Sequence, residues 1–466
     1  MVFSSPVFLF VFLPLLLAAY YGPFRAGRRY RNAVLLLASL LFYAWGEPTF
    51  VFVMLAEVAA NWLCGLGIVR AGRRWRDVWF WLAVSVDVGL LFVYKYLAFL
   101  DRTWLSVFGG THRPLGIALP IGISFFTFQI LSYVIDLRRG SIRVQKRPDD
   151  LCLYVALFPQ LVAGPIVRYA DVQDAILDRR ESFRSFSEGV ARFVVGLGKK
   201  VLVANYAAVV ADDLFLLARD GRDLSAASAW IGAFAYALQI YFDFSGYSDM
   251  AIGLGRMFGF RFPENFDHPY AASSVTDFWR RWHVSLSSWF RDYVYIPLGG
   301  NRRSPARNVL NLFAVWALTG VWHGANWTFL AWGILYFAAL LVERSFGWNR
   351  SKAPALRLWT FLVVMAGWVV FRAESLPDAG RYLSLMAGAG GRLLDPMALA
   401  CVRGAGVLLA AGAALSLPFP MKAWKAIPLP SGLRSLLEQA ALSGLFVLAV
   451  LVLFKSTYNP FIYFNF

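Results

Sequence analysis

Acidic residues are scarce in this 466-residue chain: 28 Asp and Glu stand against 45 Lys and Arg, and charged residues together make up only 16%. A soluble globular domain carries about a quarter of its residues as charges, so water is not the solvent this chain is built for. Cysteine is scarcer still. Cys64, Cys152 and Cys401 lie far apart in or beside apolar stretches and form no CxxC, which excludes a disulfide framework and a cysteine-based zinc site. No metal is expected. There is no low-complexity linker and no repeat of fixed period, so the simplest reading is one membrane domain over residues 1–466. No basic residue precedes Arg25 and no small-residue cleavage site follows the first apolar run, so that run reads as a retained first helix rather than a signal peptide.

What the chain has instead is apolar surface: 59% of its residues are hydrophobic, with 41 Phe and 18 Trp. These proportions suit a polytopic bundle of α-helices in a bilayer, whose core is crossed by about 20 apolar residues in helical form. Membrane lipids are therefore the first partner implied. The net charge of +17 does not imply nucleic acid, because Lys and Arg fall in short clusters between apolar runs and read as topological signals.

Candidate spans fall near 5–21, 33–46, 48–69, 78–99, 118–136, 151–167, 190–217, 227–255, 309–345, 356–372, 402–418 and 439–455. The 309–345 run is long enough for two spans hinged at Gly324–Trp327. Two runs, Leu119-Pro-Ile-Gly122 and Phe158-Pro159 to Gly164-Pro165, are too broken to be simple spans. Irregular backbone survives at membrane depth only beside protein or a water-filled cavity, so these breaks point to an interior site. The clusters Arg25/Arg28/Arg29/Arg31, Arg70/Arg73/Arg74/Arg76 and Arg138/Arg139/Arg143/Lys146/Arg147 predict three cytoplasmic loops and an N-terminus outside. Arg102 and Arg113 in the loop at 100–117 run against that pattern. The stretch 374–401 reads as an exposed loop.

Chemistry concentrates around two of the four histidines. His283 lies in a segment that alternates aromatics with Arg280, Arg281 and Arg291, an amphipathic element able to cap a cavity or simply to anchor at an interface. His323 sits inside an apolar run without a basic neighbour. Ionisable groups at such depth usually line a site, and a buried imidazole is a natural general base; the plain alternative is a neutral histidine hydrogen-bonded between helices. Upstream of both, Tyr241–Asp249 carries Asp243, Ser245, Ser248 and Asp249. These acids either orient a base or bind a polar substrate, or are paired with nearby Arg or backbone amides. His112 and His268 read as solvated or structural. No phosphate loop, dinucleotide fingerprint or nucleophile elbow is present, so histidine-assisted direct transfer is the economical mechanism.

Extended motifs then carry a resemblance. Phe42-Tyr-Ala-Trp45, Leu119-Pro-Ile-Gly-Ile-Ser-Phe-Phe-Thr-Phe128, Ser132-Tyr-Val-Ile-Asp136, Tyr241–Gly253, Phe278-Trp-Arg-Arg-Trp-His-Val-Ser-Leu-Ser287, Gly320-Val-Trp-His-Gly-Ala-Asn326 and Asn459-Pro-Phe-Ile-Tyr-Phe464 resemble the membrane-bound O-acyltransferases, in particular their alginate O-acetylase branch. The likeness runs through residues 1–373 and weakens over 374–440. It implies about eleven spanning helices with re-entrant and interfacial pieces around a central tunnel. It further implies a catalytic His323, with His283 lining or gating the same tunnel. Asp243, Ser245, Asp249, Arg280, Arg281, Trp282, Trp322 and Asn326 are the expected tunnel-lining or donor-binding residues. The implied co-substrate is an acyl thioester, acetyl-coenzyme A or an acyl carrier protein, with no bound cofactor. The implied setting is a bacterial inner membrane, with a periplasmic acetyltransferase partner and a polysaccharide export machinery. Transfer of D-alanyl or another acyl group to a cell-envelope polymer is an alternative. A transporter or flippase is another, against which stands the lack of a matching pair of broken segments in the two halves.

Overall fold

A computed structural model describes residues 1–23, 27–110, 113–351 and 353–455. Arg25, His112 and the Asn459–Phe464 motif lie outside the described residues. Every regular element described is a helix. That follows from the composition, because a chain that crosses hydrocarbon must pair each backbone N–H and C=O within its own segment. Among the described residues, seven helices are long and apolar enough to cross a bilayer: Phe50–Arg70, Arg73–Phe108, Phe183–Arg219, Trp327–Ser345, Pro354–Arg372, Pro396–Leu415 and Ser431–Lys455. Four further helices are 17 to 32 residues long, Arg28–Ala44, Ile123–Arg139, Ala226–Met257 and Pro305–His323. The protein is a multi-pass membrane helix bundle.

The chain divides into two compact units, one of residues 1–193 with 248–263, the other of 194–247 with 264–466. In the first, Ile123–Arg139 is the central helix, with 14 of its 17 residues buried. Both breaks expected from Pro and Gly are present here. Residues 113–120 are irregular before Gly122 starts the Ile123 helix at a positive φ of 78°. The second run holds one helical turn, Phe158–Leu161, after the separate Pro148–Ala156 helix, and is irregular from Val162 to Arg168. Glu181 gathers Arg28 and Arg31 at 2.6 and 2.8 Å, and Tyr20 donates to it at 2.5 Å.

In the second unit the 309–345 run is two helices, Pro305–His323 and Trp327–Ser345, with a break at 324–326. Asn326 causes the restart: its side chain accepts from Thr328 N at 3.2 Å and caps the new helix. One expectation is corrected. Residues 374–401 are not an exposed loop, since Leu376–Met386 is a helix with Ala379, Tyr382, Leu385 and Met386 buried on one face. Ser375 caps it by accepting from Asp378 N at 3.3 Å. Asp395 starts the next helix early, at Pro396, by accepting from Ala398 N at 2.8 Å.

Candidate active site

His323 is the last residue of its 19-residue helix. The returning helix approaches closely because both contact positions are glycine. A Cβ on Gly333 would fall 2.5 Å from Trp316 O, and one on Gly320 would fall 2.5 Å from Phe329 O. The approach brings Trp332 against the imidazole. Ring centroids of Trp332, Trp322 and Phe371 lie 4.9, 5.0 and 5.1 Å from that of His323, which is 4% exposed. His323 thus stands at the carbonyl end of its helix, the negative pole of the helix dipole.

His283 stands between two short helices, Val275–Arg281 and Val284–Phe290, outside the spanning segments. Its φ of 45° is left-handed, and His268 is the other non-glycine residue in that region among those described. An L-residue adopts this conformation at a cost of roughly 1–2 kcal/mol, and such strain persists where the surroundings impose it. Here they do. Val284 N donates to Asn265 O and Asp267 N to Arg281 O, each at 3.0 Å. Glu343 secures the helix before it, accepting from Val275 N at 2.6 Å and from Thr276 N and Oγ1 at 2.9 and 2.8 Å.

The His283 ring is wholly buried, and burial pushes its pKa down to about 3, so the imidazole is neutral at physiological pH. Its Nδ1 lies 3.1 Å from Asn265 Oδ1. Phe244 meets it edge to face at 4.7 Å, and Trp322 lies 5.9 Å away. Trp322 thus contacts both imidazoles, so the two histidines expected to act together share one aromatic cluster.

The remaining expected residues part company. Asp243 is buried and ion-paired with Lys200 at 2.7 Å, while Asp249 belongs to the first unit and meets Arg192 at 2.8 Å. Both are paired acids. Ser245 is buried, with no partner for its hydroxyl among the described residues. Trp282 is buried in the same aromatic layer, 4.7 Å from Trp368 and 5.0 Å from Phe266. Asn326 caps a helix and donates to Glu374 O at 2.8 Å. His268 is structural, its Nδ1 3.3 Å from Ser416 O.

The arginines also separate. Arg280 is exposed, and Arg291 pairs with its neighbour Asp292 at 2.7 Å. Arg281, held by Asp277 at 2.9 Å, lines a cavity of about 580 Å³ together with Arg357 and Lys422, over apolar walls that include Phe234, Phe361, Val364 and Met365. Tyr270 and Phe278 also line it and lie 6.4 and 5.6 Å from Trp282. Asn265, Glu343, Arg357 and Lys422 were not legible in the sequence as neighbours of the candidate residues, nor Lys200 as the partner of Asp243, because each of these contacts joins positions remote in sequence.

Residues 147–371 match the family described as MBOAT, membrane-bound O-acyltransferase family. The chain is 41% identical to a probable alginate O-acetylase of Pseudomonas putida over the whole of both chains. It is 47% identical to that of Pseudomonas fluorescens, over 83% of this chain and 75% of the relative. It is also 34% identical to the peptidoglycan O-acetyltransferase of Helicobacter pylori, over 84% of this chain and 80% of the relative. With such identity along its entire length, this chain belongs to the membrane-bound O-acyltransferase family.

Proposed function

We propose that this enzyme moves an acetyl group from a cytoplasmic thioester donor across the membrane for O-acetylation of an exported polysaccharide, with His323 as general base. The observation that carries the reading is the position of His323, buried among Trp322, Trp332 and Phe371 at the carbonyl pole of its helix. The similarity to alginate and peptidoglycan O-acetylases favours a carbohydrate polymer as the final acceptor. Membership of an acyltransferase family leaves the transport reading without a supporting observation.

In the reaction the acceptor hydroxyl gives its proton to His323 as its oxygen attacks the thioester carbonyl. A C–O bond forms, the tetrahedral intermediate collapses, the C–S bond breaks, and the imidazolium returns its proton to the departing thiolate. The protein itself takes up no net proton. Exclusion of water by the aromatic cluster protects the thioester from hydrolysis. Arg281, Arg357 and Lys422 make the cavity they line a receptive mouth for the phosphates of coenzyme A or of a carrier-protein arm. In this reading the mouth opens to the cytoplasm of a bacterial inner membrane, and the arginine clusters of the first unit set the N-terminus outside. A periplasmic acetyltransferase completes delivery to the polymer beside the export machinery.

The test is transfer of labelled acetyl from acetyl-coenzyme A in membranes that carry matched amounts of wild type or His323→Ala, read out on extracellular polysaccharide. Wild-type transfer with a loss of about 10²–10⁴-fold in the variant is expected. Equal activity in the variant overturns the role of His323. Transfer of D-alanine in place of acetyl overturns the donor.

A further inference from the structure

We propose that Asn265 is a positioning residue, which fixes His283 as its Nδ1–H tautomer and so presents Nε2 to the substrates as a bare hydrogen-bond acceptor. This rests on the reading of the two histidines as one reaction centre.

The argument is one of donors and acceptors. The backbone N–H of Ser285 lies 3.2 Å from one side-chain atom of Asn265. A backbone N–H can only donate, so that atom is the carboxamide oxygen and not the nitrogen. The same oxygen accepts from Ser285 Oγ at 2.9 Å and lies 3.1 Å from His283 Nδ1. A carboxamide oxygen has no proton to give. Two lone pairs facing each other at that distance repel, so Nδ1 carries the hydrogen. Neutral imidazole has one N–H, which leaves Nε2 with its lone pair.

That Nε2 is buried and has no hydrogen-bond partner among the described residues. The backbone bond from Val284 N to Asn265 O at 3.0 Å sets the register that delivers the Asn265 side chain to the ring. The left-handed backbone of His283 turns the ring to meet it.

The consequence is a division of labour. His323 takes the proton of the attacking hydroxyl, and His283 Nε2 accepts from a second O–H or N–H of the bound substrates, such as a neighbouring sugar hydroxyl or an amide of the donor arm. A histidine locked in the other tautomer would present an N–H at the same point and repel that donor. Orientation by a partner of one ring nitrogen is how a second residue governs the other.

The decisive measurement is the imidazole ¹⁵N spectrum of the full chain, labelled at histidine and held in nanodiscs, with His283 assigned by its loss in His283→Gln. A protonated Nδ1 and a bare Nε2 are expected for His283, and a proton on Nε2 in the wild type overturns the proposal. This readout stands even if acetyl transfer itself is not observed. In the transfer assay, Asn265→Ala should lower kcat by at least about tenfold with little change in KM. The Asn265→Ala/His283→Ala double variant should be no slower than His283→Ala alone. Losses that multiply mean that Asn265 does not act through His283. Asn265→Asp keeps the acceptor and adds a negative charge, so it should retain activity and move the acidic limb of the pH profile upward. Should Asn265→Ala fail to elute as a monodisperse protein, the wild-type tautomer and the Asp variant decide.

Discussion

The carboxylate of Glu343 receives three donors from Val275 and Thr276, in a position that is wholly buried. Removing it strands two backbone N–H groups at the start of the helix that leads to His283. Glu343→Ala should cost about 2–3 kcal/mol in unfolding from mixed micelles, and acetyl transfer should fall with it; unchanged stability would show that those donors find other acceptors. A second carboxylate answers to pH. Burial alone would raise Glu181, which lies outside the spanning helices, but hydrogen bonds from Arg28 and Tyr20 outweigh it and hold the carboxyl at about 2. The folded value is below the unfolded one, so the ionised form stabilises the fold above about pH 4.5, and that contribution disappears as pH falls through about 2. The stability difference between wild type and Glu181→Gln should be constant near neutrality and shrink on acidification between those limits. A difference that grows with acid would reverse the sign of this argument.

At the scale of elements, the helices were legible because length and apolarity are local properties of the sequence. The break at Gly324–Asn326 and those around Pro120 and Pro159 were legible for the same reason, since Pro and Gly interrupt a helix wherever they fall. The Leu376–Met386 helix was not. Its 11 residues carry Pro377, Asp378 and Gly380, a composition that suits a loop, and only tertiary burial of its apolar face makes it regular. The site divides in the same way. His283 and His323 stood out in their local surroundings, whereas the pairing of Asp243 depends on Lys200, which projects from the π-helical segment Lys199–Ala204. That pair joins two helices with side chains only 3% and 2% exposed. Removing one partner leaves the other charge buried, so Lys200→Ala should destabilise by about 3–5 kcal/mol. A Lys200→Met/Asp243→Leu double variant should recover most of the loss in the same measurement. Failure to recover would assign the charges a role beyond cohesion.

For the whole molecule, the basic cavity predicts how donor binding answers to ions. Arg357→Ala and Lys422→Ala should each raise KM for acetyl-coenzyme A several-fold at low salt and leave kcat close to wild type. The effect should fade as the Debye length contracts to about 8 Å at physiological ionic strength and further beyond it. A loss in kcat with KM unchanged would move these residues from donor capture to the reaction itself.

The last spanning helix carries a different consequence. Of the 25 residues of Ser431–Lys455, only Ala449 and Leu453 are buried, so most of this helix rests against its solvent. At 1.5 Å per residue its length is roughly 37 Å, against about 30 Å of hydrocarbon, and the excess is relieved by tilt. Its Leu445 seats on Gly198, where an added Cβ would lie 2.8 Å from the leucine Cδ1, at the threshold of the segment that bears Lys200. Bilayer thickness should therefore act, through that seat, on the helix that bears Lys200. Reconstitution in lipids of graded acyl-chain length should reveal an optimum for turnover, which makes the membrane a tuning element of this enzyme as well as its container.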